Sequence, residues 1–284
     1  MPEGEKSFRV SPQFHHDILF TGIATTMRRI KDFSLVANAM TKALARKISF
    51  HPSSDNMQQI LADNPQLVVA INHGPMLGPL ATTVALNKLY TENGGEDRKP
   101  LAIMWRMFYQ IPIYKYAIQY ITQVDRGLNF DGFLAKMQNE GFTDLFVKPE
   151  GENCNYGNGL DIEPFLSPRF IEFALRLNVP ILVVTHQGSE QWATTVPVSS
   201  KLDGLLSKLP KKTFDRISDT RLLSVPLMVT RLKELKVMYK LYQPAITLAD
   251  LPEDLEQRKA MISDESDRVR SLMQSMIDEL KASR

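Results

Sequence analysis

The chain carries a single cysteine, Cys154, so it can form neither an intramolecular disulfide nor a multi-cysteine metal site, and this fits a reducing compartment. It also lacks excess charge of either sign. Its 34 Lys and Arg against 32 Asp and Glu leave +2, which gives no support to a nucleic-acid binder recognised by bulk charge. No apolar run approaches the roughly 18–20 residues that cross a membrane, since residues 179–184 and similar runs are strand-sized. Glycine (14) and proline (17) together stay close to globular averages among 284 residues, and with 43% hydrophobic and 23% charged residues this excludes fibrous and disordered classes. The opening MPEGEKSFRV holds acids and leads into no apolar stretch, so no secretory signal is expected and any membrane attachment is peripheral to a cytoplasmic chain. Phosphate loops of the Walker type and Gly-x-Gly-x-x-Gly runs are missing, and Gly188-Ser189 lacks the glycines of a nucleophile elbow. His15-His16-Asp17 has ligand residue types without ligand spacing and reads as a polar helix entry; no metal is expected.

What is present is enough chain for one large domain or two small ones. Between residues 14 and 48, Phe14, Ile18, Ile23, Met27, Ile30, Val36, Met40 and Leu44 recur at helical spacing. The other face is basic through Arg28, Arg29, Lys31, Lys42, Arg46 and Lys47. Such a stripe either packs on a core with a solvated basic face or meets anionic lipid. From residue 63 onward, strand-like runs at 66–71, 101–104, 121–124, 145–147 and 179–185 alternate with helical stretches such as 129–139 and 170–178. The alternation predicts an α/β fold with a mixed, mostly parallel central sheet flanked by helices. It divides the chain into an N-terminal helical region, 1–62, and an α/β domain, 63–284. Residues 201–240 hold ten bases against four acids, a patch that suits an acidic carrier protein, coenzyme A phosphates, an anionic membrane, or solvent. A last helix is signalled by Val269, Met273, Met276 and Leu280.

Chemistry concentrates at strand ends. Asn72-His73-Gly74-Pro75 follows a buried strand, the place where open α/β sheets hold ligands. Val124-Asp125-Arg126-Gly127, Phe146-Val147-Lys148-Pro149-Glu150-Gly151 and the run at 179–184 follow in order. Together these four blocks resemble the glycerolipid, or lysophosphatidic-acid-type, acyltransferase family over roughly residues 66–248, including a late strand at 242–246. The resemblance implies an enzyme of phospholipid biosynthesis that transfers an acyl group other than an aminoacyl group. The donor would be an acyl-CoA or acyl carrier protein thioester, the acceptor a hydroxyl of a glycerolipid or other lipid, with no cofactor. It makes His73 the general base, fitting for an imidazole of ordinary pKa near 6.5. Arg126, Glu150 and Gly151 become acceptor-binding residues, with Arg suited to phosphate through its planar fork.

The chain departs from that pattern in three places. Gly78 stands where the family has the aspartate that orients the base, and no carboxylate lies between Gly74 and Tyr90. Glu152-Asn153-Cys154 replaces a hydroxyl residue and an arginine, and Ile113-Tyr114-Lys115 follows Pro112 where a glycine is usual. Lys115 or Arg106 would then supply positive charge. A backbone carbonyl, or a carboxylate distant in sequence (Asp125, Asp161 or Glu163), would orient His73. The alternative is a catalytically weak or inactive protein that binds lipid or acyl carrier on the same fold.

Overall fold

Five consecutive apolar residues form β2 (Leu67–Ile71), and all five are buried, as befits a central strand covered on both faces. It lies between β4 (Asp144–Val147) and β5 (Ile181–Gln187), parallel to both, with Val68 opposite Leu145 on one side and Ile181 on the other. Beyond β4 runs β3 (Pro100–Ala102), also parallel. Beyond β5, β8 (Leu235–Tyr242) runs antiparallel and β1 (Ile48–Phe50) pairs parallel to β8. The order is β1-β8-β5-β2-β4-β3, the mixed and mostly parallel sheet that the sequence predicts. The structure is a computed structural model that describes residues 27–74, 78–112, 114–227 and 230–283. The pattern through Phe14, Ile18 and Ile23, and His15-His16-Asp17, fall outside the described residues.

Helices cover both faces. α3 (Gly78–Glu92), which leads from β2 to β3, sets Ala81, Ala85, Leu86 and Leu89 against Leu67, Val69 and Ile71. α1 (Ile30–Leu44) packs on α3, and α2 (Met57–Asp63), capped by the Asn56 side chain, joins the same layer. On the opposite face, α6 (Arg169–Leu177) leads from β4 to β5 and buries Phe170, Ile171, Phe173 and Ala174 toward Val68 and Ala70. α5 (Phe130–Asn139) and α9 (Leu255–Ala282) complete that layer, α9 through Val269, Met273, Met276, Ile277 and Leu280. Each fully buried aliphatic side chain contributes about 1.5–3 kcal/mol, so these two layers hold the sheet. Because the crossovers after β2 and β4 lie on opposite faces, the carboxyl end of β2 is left between them, where α/β sheets bind ligands.

The expected boundary at 62/63 falls at the last residue of α2, and β1 hydrogen-bonds into the central sheet while Ile30 N–H donates to the Arg98 carbonyl. Residues 121–124, expected as a strand, are instead the end of α4 (Tyr114–Thr122) and a left-handed Gln123 at φ 60. The Gln123 side chain bonds the Arg28 backbone twice and donates to the Pro100 carbonyl, so tertiary contacts override the β-branched run. The strand expected at 242–246 ends at Tyr242: Pro244 has no N–H for a ladder, and Ala245 N–H goes to the buried Glu265 carboxylate. A second, antiparallel sheet of β6 (Ala193–Pro197) and β7 (Leu222–Pro226) is not predicted by the sequence pattern. Between its strands lie α7 (Asp203–Leu206) and α8 (Lys211–Thr220). Among the described residues no helix is long and apolar enough to cross a membrane.

Candidate active site

Four strands of the central sheet, β2, β3, β4 and β5, point the same way, so the segments leaving them gather along one edge. Asn72 ends β2 and ties it to β5: its Oδ1 accepts the His186 N–H at 2.9 Å and its Nδ2 donates to the His186 carbonyl at 3.4 Å. His73 follows. The chain then turns through Gly74 at φ +62, a conformation that L side chains rarely adopt. A Cβ there would also lie 2.9 Å from His186 Cε1, so glycine is required twice over.

His73 is held from two directions. Its backbone N–H donates to Glu150 Oε2 at 2.7 Å, while Glu150 Oε1 accepts the Glu163 N–H at 3.0 Å. The buried Glu150 carboxyl therefore braces the turn that carries the imidazole. Burial pushes its pKa up to about 7, against the two amides that favour the charged form. The ring's Nδ1 lies 2.9 Å from the Gly74 carbonyl oxygen, which can only accept, so Nδ1 bears the proton and Nε2 is left with its lone pair. Cys154 Sγ stands 3.1 Å from the same Nδ1 and donates to the Gly151 carbonyl, also at 3.1 Å.

A second histidine flanks the first. His186, at the end of β5, is buried; its Nδ1 lies 3.2 Å from Ser189 Oγ and its Nε2 has no partner among the described residues. Burial, and next the Lys148 ammonium, lower His73 to about 4 and His186 to about 3. Burial brings Lys148 itself down to about 8 and pushes the Cys154 thiol far up. At neutral pH the site thus presents two neutral imidazoles and an un-ionised thiol beside one cation. That combination offers a proton acceptor together with positive charge for a developing oxyanion. A cleft lined by Gly74, Glu150, Cys154, His186 and Ser189, with Ile277 and Lys281 from α9, opens alongside.

Gly78 opens α3 beneath this turn. A Cβ at that position would sit 2.8 Å from the His73 carbonyl oxygen, 2.9 Å from Ser189 Oγ and 3.4 Å from His186 Cε1. No carboxylate fits there while His186 and Ser189 keep their places. None of the three distant carboxylates meets the His73 ring either. Asp161 is taken by Lys281 and Asn158, Glu163 pairs with Arg216, and Asp125 is exposed on its turn. Of the orienting groups anticipated, the backbone carbonyl is the one in contact.

The fold finds a partial likeness among solved structures. It is similar to the 1-acyl-sn-glycerophosphate (LPA) acyltransferase PlsC from Thermotoga maritima, with 17% identity, a TM-score of 0.47, and 89% of this chain and 79% of that chain covered. No family model matches the chain, and no curated protein matches it. Residue roles therefore rest on the geometry of this chain.

The remaining residues singled out in the sequence are placed as follows. Gly151, at φ +53, packs its Cα face on Leu166 and lends its carbonyl to Cys154. Arg106, just past β3, lies against Gly127, which brings Arg106 and the neighbouring Arg126 to one exposed patch. Neither arginine pairs with Glu150 or His73 among the described residues. Lys115 sits over the Tyr116 ring at 4.8 Å. His186, the contacts of Ser189 and Cys154 with the histidines, and the electrostatic influence of Lys148 on them were not anticipated from sequence. The histidine at the end of the fourth block's strand was the one available signal.

Proposed function

We propose that the protein is an acyltransferase that moves a fatty acyl group from an acyl-CoA or acyl carrier protein thioester to a hydroxyl of a glycerolipid or similar lipid. It acts in the cytoplasm, peripheral to the membrane. The observation that carries this reading is the His73 imidazole, fixed through Nδ1 on the Gly74 carbonyl with Nε2 left to accept a proton, at the sheet edge where the ends of β2, β4 and β5 come together. His73 Nε2 takes the proton of the acceptor hydroxyl, the alkoxide attacks the thioester carbonyl, and the thiol leaves after that proton is returned to it. Lys148 supplies the positive charge toward which the tetrahedral oxyanion develops. Arg126 and Arg106 meet the phosphate of the donor or acceptor, and Lys115 adds charge on the same side.

A second reading is favoured by the closed space at Gly78: with only neutral groups bracing its ring, His73 sits in a protein that binds acyl chains and turns them over slowly or not at all. The test is release of free thiol from acyl-CoA and acyl carrier protein donors, with glycerol-phosphate, lysolipid and acylglycerol acceptors, in wild type and His73→Ala. Acceptor-dependent release lost in the variant supports the acyltransferase. Acyl-chain binding by both proteins without release from any donor supports the binding protein.

A further inference from the structure

Between β6 and β7 the chain presents Leu202, Leu205 and Leu209 to solvent, at 47%, 64% and 39% exposure, on the short helical segment around α7. Four lysines, Lys201, Lys208, Lys211 and Lys212, flank them, all exposed and none in an ion pair among the described residues. The lone acid of this segment, Asp203, is neutralised by the Arg221 guanidinium at 2.5 and 3.1 Å. A soluble chain gains nothing by wetting three leucines, and four unpaired ammonium groups around them complement an anionic surface with an apolar layer beneath it.

The segment is also tied to the active site. It continues into α8, which packs against the turn Gly151–Tyr156 that bears Cys154, and Arg216 of α8 pairs with Glu163, whose backbone N–H is held by Glu150.

We infer that residues 199–212 form a membrane-docking surface, in which Leu202, Leu205 and Leu209 enter the interface of an anionic bilayer while the four lysines contact lipid headgroups. This gives a surface to the peripheral membrane placement proposed above and does not depend on turnover. Lysine heads at the headgroup level with leucines below is the arrangement interfacial segments use. A purely acidic surface would satisfy the lysines and leave the three exposed leucines uncovered, whereas an anionic bilayer takes up both.

The experiment is co-sedimentation of the full chain with vesicles of phosphatidylcholine alone or mixed with phosphatidylglycerol, with no substrate present. Wild type binds the mixed vesicles and binds neutral ones weakly. Replacing Lys201, Lys208, Lys211 and Lys212 by Gln lowers the partition coefficient on mixed vesicles by at least about 100-fold, from the usual contribution of each base near an anionic surface. Leu202→Ser, Leu205→Ser and Leu209→Ser together lower it by about 10-fold or more on both kinds of vesicle. Thermal melting stays at the wild-type value in both variants, because the side chains are exposed. Wild-type vesicle binding in both variants, or no vesicle binding by wild type, overturns the inference. So does a lysine variant that keeps its vesicle affinity but loses an acidic carrier protein. Failure of thiol release in the turnover assay leaves it standing, so the two readings fail separately.

Discussion

Replacing Glu150 by glutamine tests what that carboxyl does. It has two acceptor oxygens on two backbone amides, His73 N–H at 2.7 Å and Glu163 N–H at 3.0 Å, whereas a glutamine offers one oxygen and turns an NH2 toward the other amide. The lost charge-assisted bond and the stranded amide cost about 3–5 kcal/mol together. Removing a buried carboxyl whose pKa stands near 7 in place of 4.5 returns about 3 kcal/mol at pH 8. Stability at one pH therefore changes little, and its pH dependence carries the information. Because the folded pKa is raised, the folded state holds one more proton than the unfolded state between pH 4.5 and 7. Wild type therefore loses about 3 kcal/mol relative to Glu150→Gln as pH rises through that window, and nothing more above it. Urea unfolding at a series of pH values measures this. Activity is the second readout. Protonation of Glu150 weakens one of its two amide bonds and loosens the turn under His73, so kcat/KM of wild type falls as pH drops through about 7. His73 itself stays neutral down to about 4 and cannot produce that limb. In Glu150→Gln the limb disappears and kcat/KM is lower by about 100-fold, the scale of a 1 Å misplacement of a catalytic group. Parallel stability profiles, together with activity within about threefold of wild type and an unchanged acid limb, would refute the reasoning.

Placing an aspartate at this position by Gly78→Asp does not raise thiol release and destabilises the fold by about 1–3 kcal/mol, since its Cβ meets the His73 carbonyl and Ser189; higher activity with unchanged melting would sink this account of the site. His73 and His186 have lowered folded pKa values, so both withdraw stability as pH falls below 6.5. Between pH 6.5 and 5 each removes about 2 kcal/mol and Glu150 restores about 2, leaving a net loss of about 2 kcal/mol in urea unfolding; a flat or rising profile contradicts it. Lys148→Met raises the pKa of His73, followed by NMR of the ring, yet lowers thiol release about 10-fold or more through loss of oxyanion stabilisation. A His73 pKa that does not move rules out the electrostatic coupling.

The sheet was legible because β2, β4 and β5 are buried apolar runs with turn residues at their ends, and a parallel strand covered on both faces leaves that mark in any context. Residues 121–124 misled for the converse reason: Ile121 and Val124 have strand propensity, but the conformation there is decided by where the Gln123 side chain finds partners 95 and 23 residues away. The β6–β7 sheet pairs strands separated by two helices, and nothing local marks it. In the site, His73 and Glu150 were visible as strand-end residues, but the bond between them runs from a side chain to a backbone N–H, which residue type does not announce. Glu150 was expected among the acceptor-binding residues, and its carboxylate is taken by two backbone amides.

The chain sets a histidine at the strand end with no carboxylate on its ring, and His186 and Ser189 lie against Gly78 beside it. That exchange sets the strength of the base. A carboxylate at Nδ1 would stabilise the imidazolium formed as the proton is taken, whereas the Gly74 carbonyl and the Cys154 sulfur offer dipoles, and Lys148 opposes the new charge. A pKa near 4 in place of 6.5 amounts to about 3 kcal/mol less affinity for that proton. A base so weak serves only if the substrate brings the missing negative charge with it. A phosphate or thioester oxyanion set beside Lys148 cancels that cation's share of the lowering, the larger share being burial, so the imidazole becomes a stronger base in the complex than in the free protein. On the proposed reading, an acceptor that carries an anionic group within reach of Lys148 would suit this site best. Its binding should raise the His73 pKa in an NMR titration, while a neutral acylglycerol should leave it near 4.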